Sequence, residues 1–104
     1  MSVKHDEGKI RAGLVLGDFS AALEEVCKVG TFGAEKYSAH GWLEVPDASE
    51  RYTDAMLRHY LAHAQGIATD PESGLPHLAH LAWNALAVLE LELRPSMLSK
   101  DRFP

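Results

Sequence analysis

Several things are scarce in this chain of 104 residues, and each scarcity excludes something. A single cysteine, Cys27, allows no internal disulfide and suits a reducing compartment, where it is expected as a small core residue. No apolar run is long enough to span a bilayer, which takes about 20 residues; the longest, Leu78 to Leu89, is broken by His80 and Asn84. The first seven residues, Met1 to Glu7, hold no apolar signal core, so no secretion is expected and the cytoplasm is the predicted compartment. Basic residues are outnumbered, ten Lys and Arg against fifteen Asp and Glu, giving a net charge of −5. That sign repels phosphate backbones and argues against a duplex nucleic-acid partner. A small phosphorylated ligand remains compatible, received by a local cationic pocket or a carboxylate-held divalent metal. There is no GxxxxGK[ST] loop, GxGxxG turn or GxSxG elbow, and no repeat or low-complexity stretch.

What is present reads as one all-α domain over residues 1–104. Hydrophobic residues at 46% and charged residues at 24% suit a folded globular chain rather than a disordered one. Residues 1–17 read as an irregular arm. Asp18 or Ser20 can cap a helix running to about Tyr37, with Phe19, Ala22, Leu23, Val26, Val29 and Tyr37 as its apolar stripe. Gly30 and Gly33 cost that helix about 1 kcal/mol each, a cost often tolerated where another backbone or a ligand comes close. A loop around Gly41 and Pro46 leads to a second helix, about Ala48 to Gln65, with a Tyr52, Met56, Leu57, Tyr60, Leu61 stripe and Gly66 as its terminator. A third helix begins near Pro76 and is expected to stop at Pro95, leaving an irregular tail over 95–104. No strand is expected. Three amphipathic helices make a thin core, so homo-oligomerisation is expected to complete the bundle.

The third helix is apolar almost all round, yet His77, His80 and Asn84 fall in one narrow sector at i, i+3 and i+7. Unpaired buried polar groups cost about 1–3 kcal/mol each. This face therefore bonds to other side chains as a structural network, lines a wet pocket, or binds a metal through the i, i+3 histidines. At the helix N-terminus, Asp70, Glu72 and Ser73 either cap the first turn or flank a phosphate site made by free N–H groups. On the first helix, Glu24, Lys28, Thr31 and Glu35 read as a solvated face. Glu25 lies at the edge of the apolar stripe and is the better candidate for metal or base work, as Lys36 is for phosphate. On the second helix, His59 and His63 form an i, i+4 pair that reads as a half-exposed rim or a metal pair, and the adjoining Arg58 suits an anion. The His5-Asp6 pair resembles metal phosphohydrolase ligands but sits in the arm.

Taken in order, Thr31-Phe-Gly-Ala-Glu-Lys-Tyr37 with Trp42, then Leu57-Arg-His59, then Asp70-Pro-Glu-Ser-Gly-Leu-Pro-His-Leu-Ala-His80 with Asn84 resemble the phage-associated dATP/dGTP diphosphohydrolase N-terminal family. Lys4, Gly8-Lys9 and Arg11 resemble its basic early segment, so the likeness covers about residues 4–93. That family is similar to the MazG-like all-α nucleotide pyrophosphohydrolases. The resemblance implies metal-dependent hydrolysis of a purine deoxynucleoside triphosphate to the monophosphate and pyrophosphate, with Mg²⁺ or Mn²⁺, in the host cytoplasm if phage-encoded. The MazG-like pattern places ExxE and ExxD on two helices; here the analogous positions are Glu25-x-x-Lys28 and His77-x-x-His80. Imidazole at those positions favours Mn²⁺, Zn²⁺ or other transition ions over Mg²⁺.

Carried over residue by residue, the resemblance implies a site with Glu25, His77 and His80 in catalysis. Glu25, Asp70, Glu72, His77 and His80 are then the expected metal ligands. Lys9, Lys36, Tyr37, Trp42, Arg58, His59, Ser73 and Asn84 are the expected substrate contacts. Lys36, Arg58 and Lys9 would hold phosphates, and Tyr37 or Trp42 would stack on the base, unless Trp42 is a loop anchor. The rival reading is a non-catalytic helical module that binds a nucleotide or a protein, with His77, His80 and Asn84 as a structural network.

Overall fold

The structure is a computed structural model that describes residues 7–97. Four helices follow one another: α1 over Ala12–Gly17, α2 over Ser20–Lys36, α3 over Ala48–Ala64 and α4 over His77–Met97. A short 3-10 turn, Gly41–Glu44, precedes α3. Among the described residues there is no strand, only an isolated antiparallel bridge between Thr69 and Pro76. The class is all-α with three main helices, as the hydrophobic spacing predicts. Among the described residues, no helix is long and apolar enough to cross a membrane.

Helix α4 is the centre of the arrangement. It packs most extensively on α3 and over a shorter stretch on α2. Small residues permit this: Val26, Val29, Ala79 and Ala87 are the buried apolar side chains. Gly30 marks the closest approach, since a Cβ there would lie 3.1 Å from Trp83 Nε1 on α4, whereas Gly33 has no such neighbour. The same Trp83 ring meets Tyr52 edge-on at 5.5 Å and Trp42 at 5.7 Å, and the Tyr52 hydroxyl donates to the Trp42 carbonyl at 2.6 Å. Such aromatic pairs contribute about 0.5–1.5 kcal/mol each beyond their buried area. They pin the 3-10 turn against α3 and α4.

Several boundaries differ from those read in the sequence. The arm is not irregular throughout: α1 forms over Ala12–Gly17, because Ala12, Leu14 and Leu16 are good helix formers and no proline intervenes. Neither Asp18 nor Ser20 caps α2. Phe19 occupies the cap position without a side-chain bond, and the Leu23 N–H reaches back to its carbonyl. Helix α4 does not stop at Pro95 but continues to Met97. Proline's fixed φ is itself helical, and near a helix end it removes a single backbone bond. Residues 98–104 of the expected tail lie outside the described residues, as do Lys4 and the His5-Asp6 pair. Gly66 ends α3 as expected, with φ +86°. Cys27 is exposed rather than a core residue, because it lies on the side of α2 that lines an open groove.

The apolar stripes are only partly covered. Phe19 is 58% exposed and Tyr37 76%, and Leu57, Tyr60 and Leu61 on α3 are all exposed. The chain measures 54 × 34 × 25 Å with a radius of gyration of 16.9 Å. A self-contained globule of about 100 residues has a radius near 13 Å. Three helices laid side by side cover one face of each stripe and leave the other open.

Candidate functional site

The loop from Gln65 to Pro76 builds the site by closing tightly on itself. The Asp70 N–H donates to the Leu75 carbonyl at 2.8 Å, and the Gly74 N–H to the Asp70 carbonyl at 2.7 Å. Gly74 has φ +73°, a backbone shape that a Cβ would strain. The His77 N–H is taken by the Ala68 carbonyl at 2.9 Å. Asp70 accepts the Ser73 N–H on Oδ2 at 2.9 Å, and the Ser73 hydroxyl accepts the Leu75 N–H at 3.1 Å. Of the two readings of Asp70 and Ser73, these contacts describe turn-forming residues that satisfy the loop's own donors.

This loop delivers Asp70 and Ser73 to a cluster of three imidazoles between α3 and α4. His59 Nδ1 lies 2.8 Å from His77 Nδ1, close enough that one donates and the other accepts. The His59 ring stacks on His80 with centroids 4.5 Å apart and 11° between planes. His80 Nε2 lies 2.6 Å from Ser73 Oγ and 3.9 Å from Asp70 Oδ2. One turn on, the Asn84 side-chain amide donates to the His80 carbonyl at 2.8 Å. His77, His80 and Asn84 are as buried as the apolar core, at 5%, 8% and 5% exposure. No buried side-chain nitrogen or oxygen among the described residues lacks a partner.

Burial governs the charges here. It pushes His80 below its ordinary value, and Asp70 only partly opposes it. It does the same to His59, reinforced by the neighbouring His80 and His77. Burial alone would raise the Asp70 carboxyl, but the Ser73 N–H and hydroxyl, followed by His80 and His59, bring it below the usual value. The cluster at neutral pH therefore has an anionic carboxylate beside two imidazoles, His59 and His80, whose neutral form is favoured. Neutral imidazole and carboxylate are metal-ligand states. One ligand atom from each of His59, Asp70 and His77 lies within 4.8 Å of the others. Two nitrogens and one oxygen suit a divalent cation of borderline softness.

The remaining residues read from the sequence fall in several places. Lys36, at the end of α2, is ion-paired with Glu72 of the loop, and that contact raises its ammonium above its ordinary value. Arg58 is exposed on α3 beside His59. Glu25 is paired with Lys28 at 2.9 Å on α2 and stands apart from the His59, Asp70, His77 group. Trp42 belongs to the aromatic trio, where it anchors its turn, and Tyr37 is mostly exposed with Lys36 Nζ 5.1 Å from its ring centroid. Lys9 is exposed in the segment before α1. An open groove of about 410 Å³ runs between α2 and the loop, with Lys28, Thr31, Glu35 and Ser73 among its walls. Sequence spacing read Lys28, Thr31 and Glu35 as a solvated face; they are exposed, and the loop makes that face one side of a groove. Two features escaped the sequence reading: the pairing of His59 with His77, and the groove. The first joins residues 18 apart on different helices, which no local period reveals.

Comparison with known proteins agrees with the motifs. The family described as dATP/dGTP diphosphohydrolase, N-terminal, matches residues 2–102. A dATP/dGTP diphosphohydrolase of Salmonella phage PMBT28 is 36% identical over 80 residues, which is 77% of this chain and 26% of that protein. The chain thus spans about a quarter of the relative's length. No solved structure matches. With the family match covering nearly its whole length, the chain belongs to the dATP/dGTP diphosphohydrolase N-terminal family.

Proposed function

We propose that this domain hydrolyses a purine deoxynucleoside triphosphate, adding water across the α,β-phosphoanhydride to give the monophosphate and pyrophosphate with release of a proton. The observation that carries the reading is the part-buried cluster of His59, Asp70, Ser73, His77 and His80 beside an open groove. Family membership and the name of the phage relative supply the substrate class.

The donor set fits a divalent cation held by His59, Asp70 and His77, and of Mg²⁺ and Mn²⁺ the imidazoles favour Mn²⁺. Such an ion, when bound, acidifies a water and neutralises phosphate charge. His80, whose neutral form burial favours and which is bonded to Ser73 Oγ, accepts a proton through Nε2. Ser73 orients that imidazole and reaches the groove wall. Lys36 and Arg58 neutralise the phosphates, with Lys9 as a further cation from the N-terminal segment. Glu25 positions Lys28 on the groove wall, and Glu72 ties Lys36 to the loop. Tyr37 offers an exposed ring for the base. Assembly with a second copy covers the open apolar faces, and the expected setting is the cytoplasm.

The test is direct. The purified chain is incubated with each of the four dNTPs and Mn²⁺ or Mg²⁺, and the products are resolved by ion-exchange chromatography. dATP and dGTP are expected to yield dNMP and pyrophosphate. A second reading, a binding module without turnover, is favoured by the complete internal pairing of the buried polar atoms. Saturable nucleotide binding with no product from any combination selects it.

A further inference from the structure

The shape of the imidazole pair says more about the cation than the family resemblance does. His59 and His77 approach each other through the same ring atom, Nδ1, at 2.8 Å. A neutral pair so arranged shares one proton, one Nδ1 donating it and the other accepting on its lone pair; moving that proton to Nε2 of the donor ring turns both Nδ1 lone pairs toward one point. Two imidazoles ligating one ion at about 2.0–2.1 Å place their nitrogens about 3.0–3.4 Å apart. The observed spacing is a few tenths of an ångström from that range. Asp70 brings an oxygen within 4.8 Å of one ring nitrogen of each histidine.

The supports of these atoms point the same way. Asp70 is fixed by the Ser73 N–H on Oδ2, the kind of outer bond that orients a ligating carboxylate. His77 is the first residue of α4, its N–H tied to Ala68, and His59 is held by stacking on His80. Three elements, α3, the loop and α4, thereby contribute one donor each to a preformed cradle. Its chemistry is that of first-row transition ions. Mg²⁺ requires a near-octahedral shell of oxygens, which one carboxylate and two imidazoles do not supply.

We propose that His59, Asp70 and His77 form a transition-metal site selective for Zn²⁺, Co²⁺ or Mn²⁺ over Mg²⁺, with His59 as a ligand. On binding through both Nδ1 atoms, one neutral imidazole carries its proton on Nε2 instead. The site rests on the same end of α3 and α4 as the hydrolase reading. Its readout is metal binding itself, so loss of one reading is distinguishable from loss of the other.

The EDTA-treated, dialysed chain is titrated with Zn²⁺, Co²⁺, Mn²⁺ and Mg²⁺ by calorimetry, and the Co²⁺ complex is followed by its visible absorption. One Zn²⁺ per chain is expected, at least 100-fold tighter than Mg²⁺, with Co²⁺ bands that Zn²⁺ displaces. His59→Ala and Asp70→Asn are expected to weaken Zn²⁺ by at least 10-fold. His63→Ala, an exposed histidine one turn further along α3, is expected to leave it unchanged. His59→Asn, checked by circular dichroism, keeps a folded side-chain substitute in case the alanine variant fails to fold. Zn²⁺ binding no tighter than Mg²⁺, or unaltered in folded His59→Asn, overturns the proposal. Metal binding without any dNTP hydrolysis supports the site and removes the hydrolase reading.

Discussion

The two ends of helix α4 invert the usual placement of residues. Toward its start, polar His77, His80 and Asn84 are as hidden as Val26 and Ala87. Further along, Leu86 and Leu89 on the same helix are half exposed, and with Phe19 at the cap of α2 and Leu23 within it they line an apolar groove of about 360 Å³. Burying large apolar side chains is worth about 1.5–3 kcal/mol each, whereas burying polar groups without partners costs about as much. A chain selected for stability alone would place them the other way round. The polar end is tolerated because each buried polar atom there has a partner. The apolar end has no such internal solution and calls for an external one. The contrast separates a polar, internally paired end, where the proposed chemistry would sit, from an apolar end left open to contact.

The comparison breaks most sharply at the polar end. His80→Ala is expected to lower dNTP turnover by at least 100-fold while circular dichroism shows an intact helical fold. Turnover within a few-fold of the unmodified chain removes His80 from the mechanism and leaves Ser73 bonded to a purely structural ring. At the apolar end, Leu86→Glu puts a charge in the groove between α2 and α4. If a second copy covers this groove, light scattering at low micromolar concentration shows dimers or larger species for the unmodified chain. The variant then shifts toward monomer, with at least a 10-fold weaker association. A monomeric unmodified chain at that concentration breaks this side of the comparison.

The smallest effect concerns pH. Burial first, and neighbouring imidazoles second, keep His59 below its ordinary 6.5, and burial does so for His80 despite Asp70. The unfolded chain therefore binds more protons than the folded one just below that value. In EDTA, the stability linked to these two rings is full above pH 6.5 and declines as the pH falls through the region between the ordinary and the lowered values. Asp70, also lowered, adds a further loss only below its ordinary 3.8. Urea midpoints at pH 7.5 and 5.5 measure the first decline. A His59→Gln, His80→Gln double variant is expected to flatten it. An unchanged slope in the double variant assigns the effect to other groups.

Much of this arrangement was legible from spacing. The limits of α2 and α3, the stop at Gly66, and the polar sector of α4 all follow from periods of 3.6 residues and from the conformations glycine and proline permit. The turn chemistry of Asp70 to Pro76 was legible as a cluster of loop formers, and its bonds proved to be internal ones. Less legible were α1, too short for any period to mark, and the extension of α4 beyond Pro95. Glu25 was placed by its edge position on a helix wheel, which says nothing of Lys28 reaching across to it.

By itself, then, the sequence determined that this is an all-α chain, that His77, His80 and Asn84 share one face, and which family the motifs belong to. These are properties of order and period along a single strand of residues. Only the tertiary structure decided that this face meets His59, because the partner lies on another helix. That helix's rotation is set by how Trp42, Tyr52 and Trp83 pack. It likewise decided which part of each apolar stripe is covered: with three helices side by side, α4 hides the small residues Val26 and Val29, and leaves Phe19, Leu86 and Leu89 open. Helical periodicity assigns residues to faces; the packing of whole helices decides which faces meet.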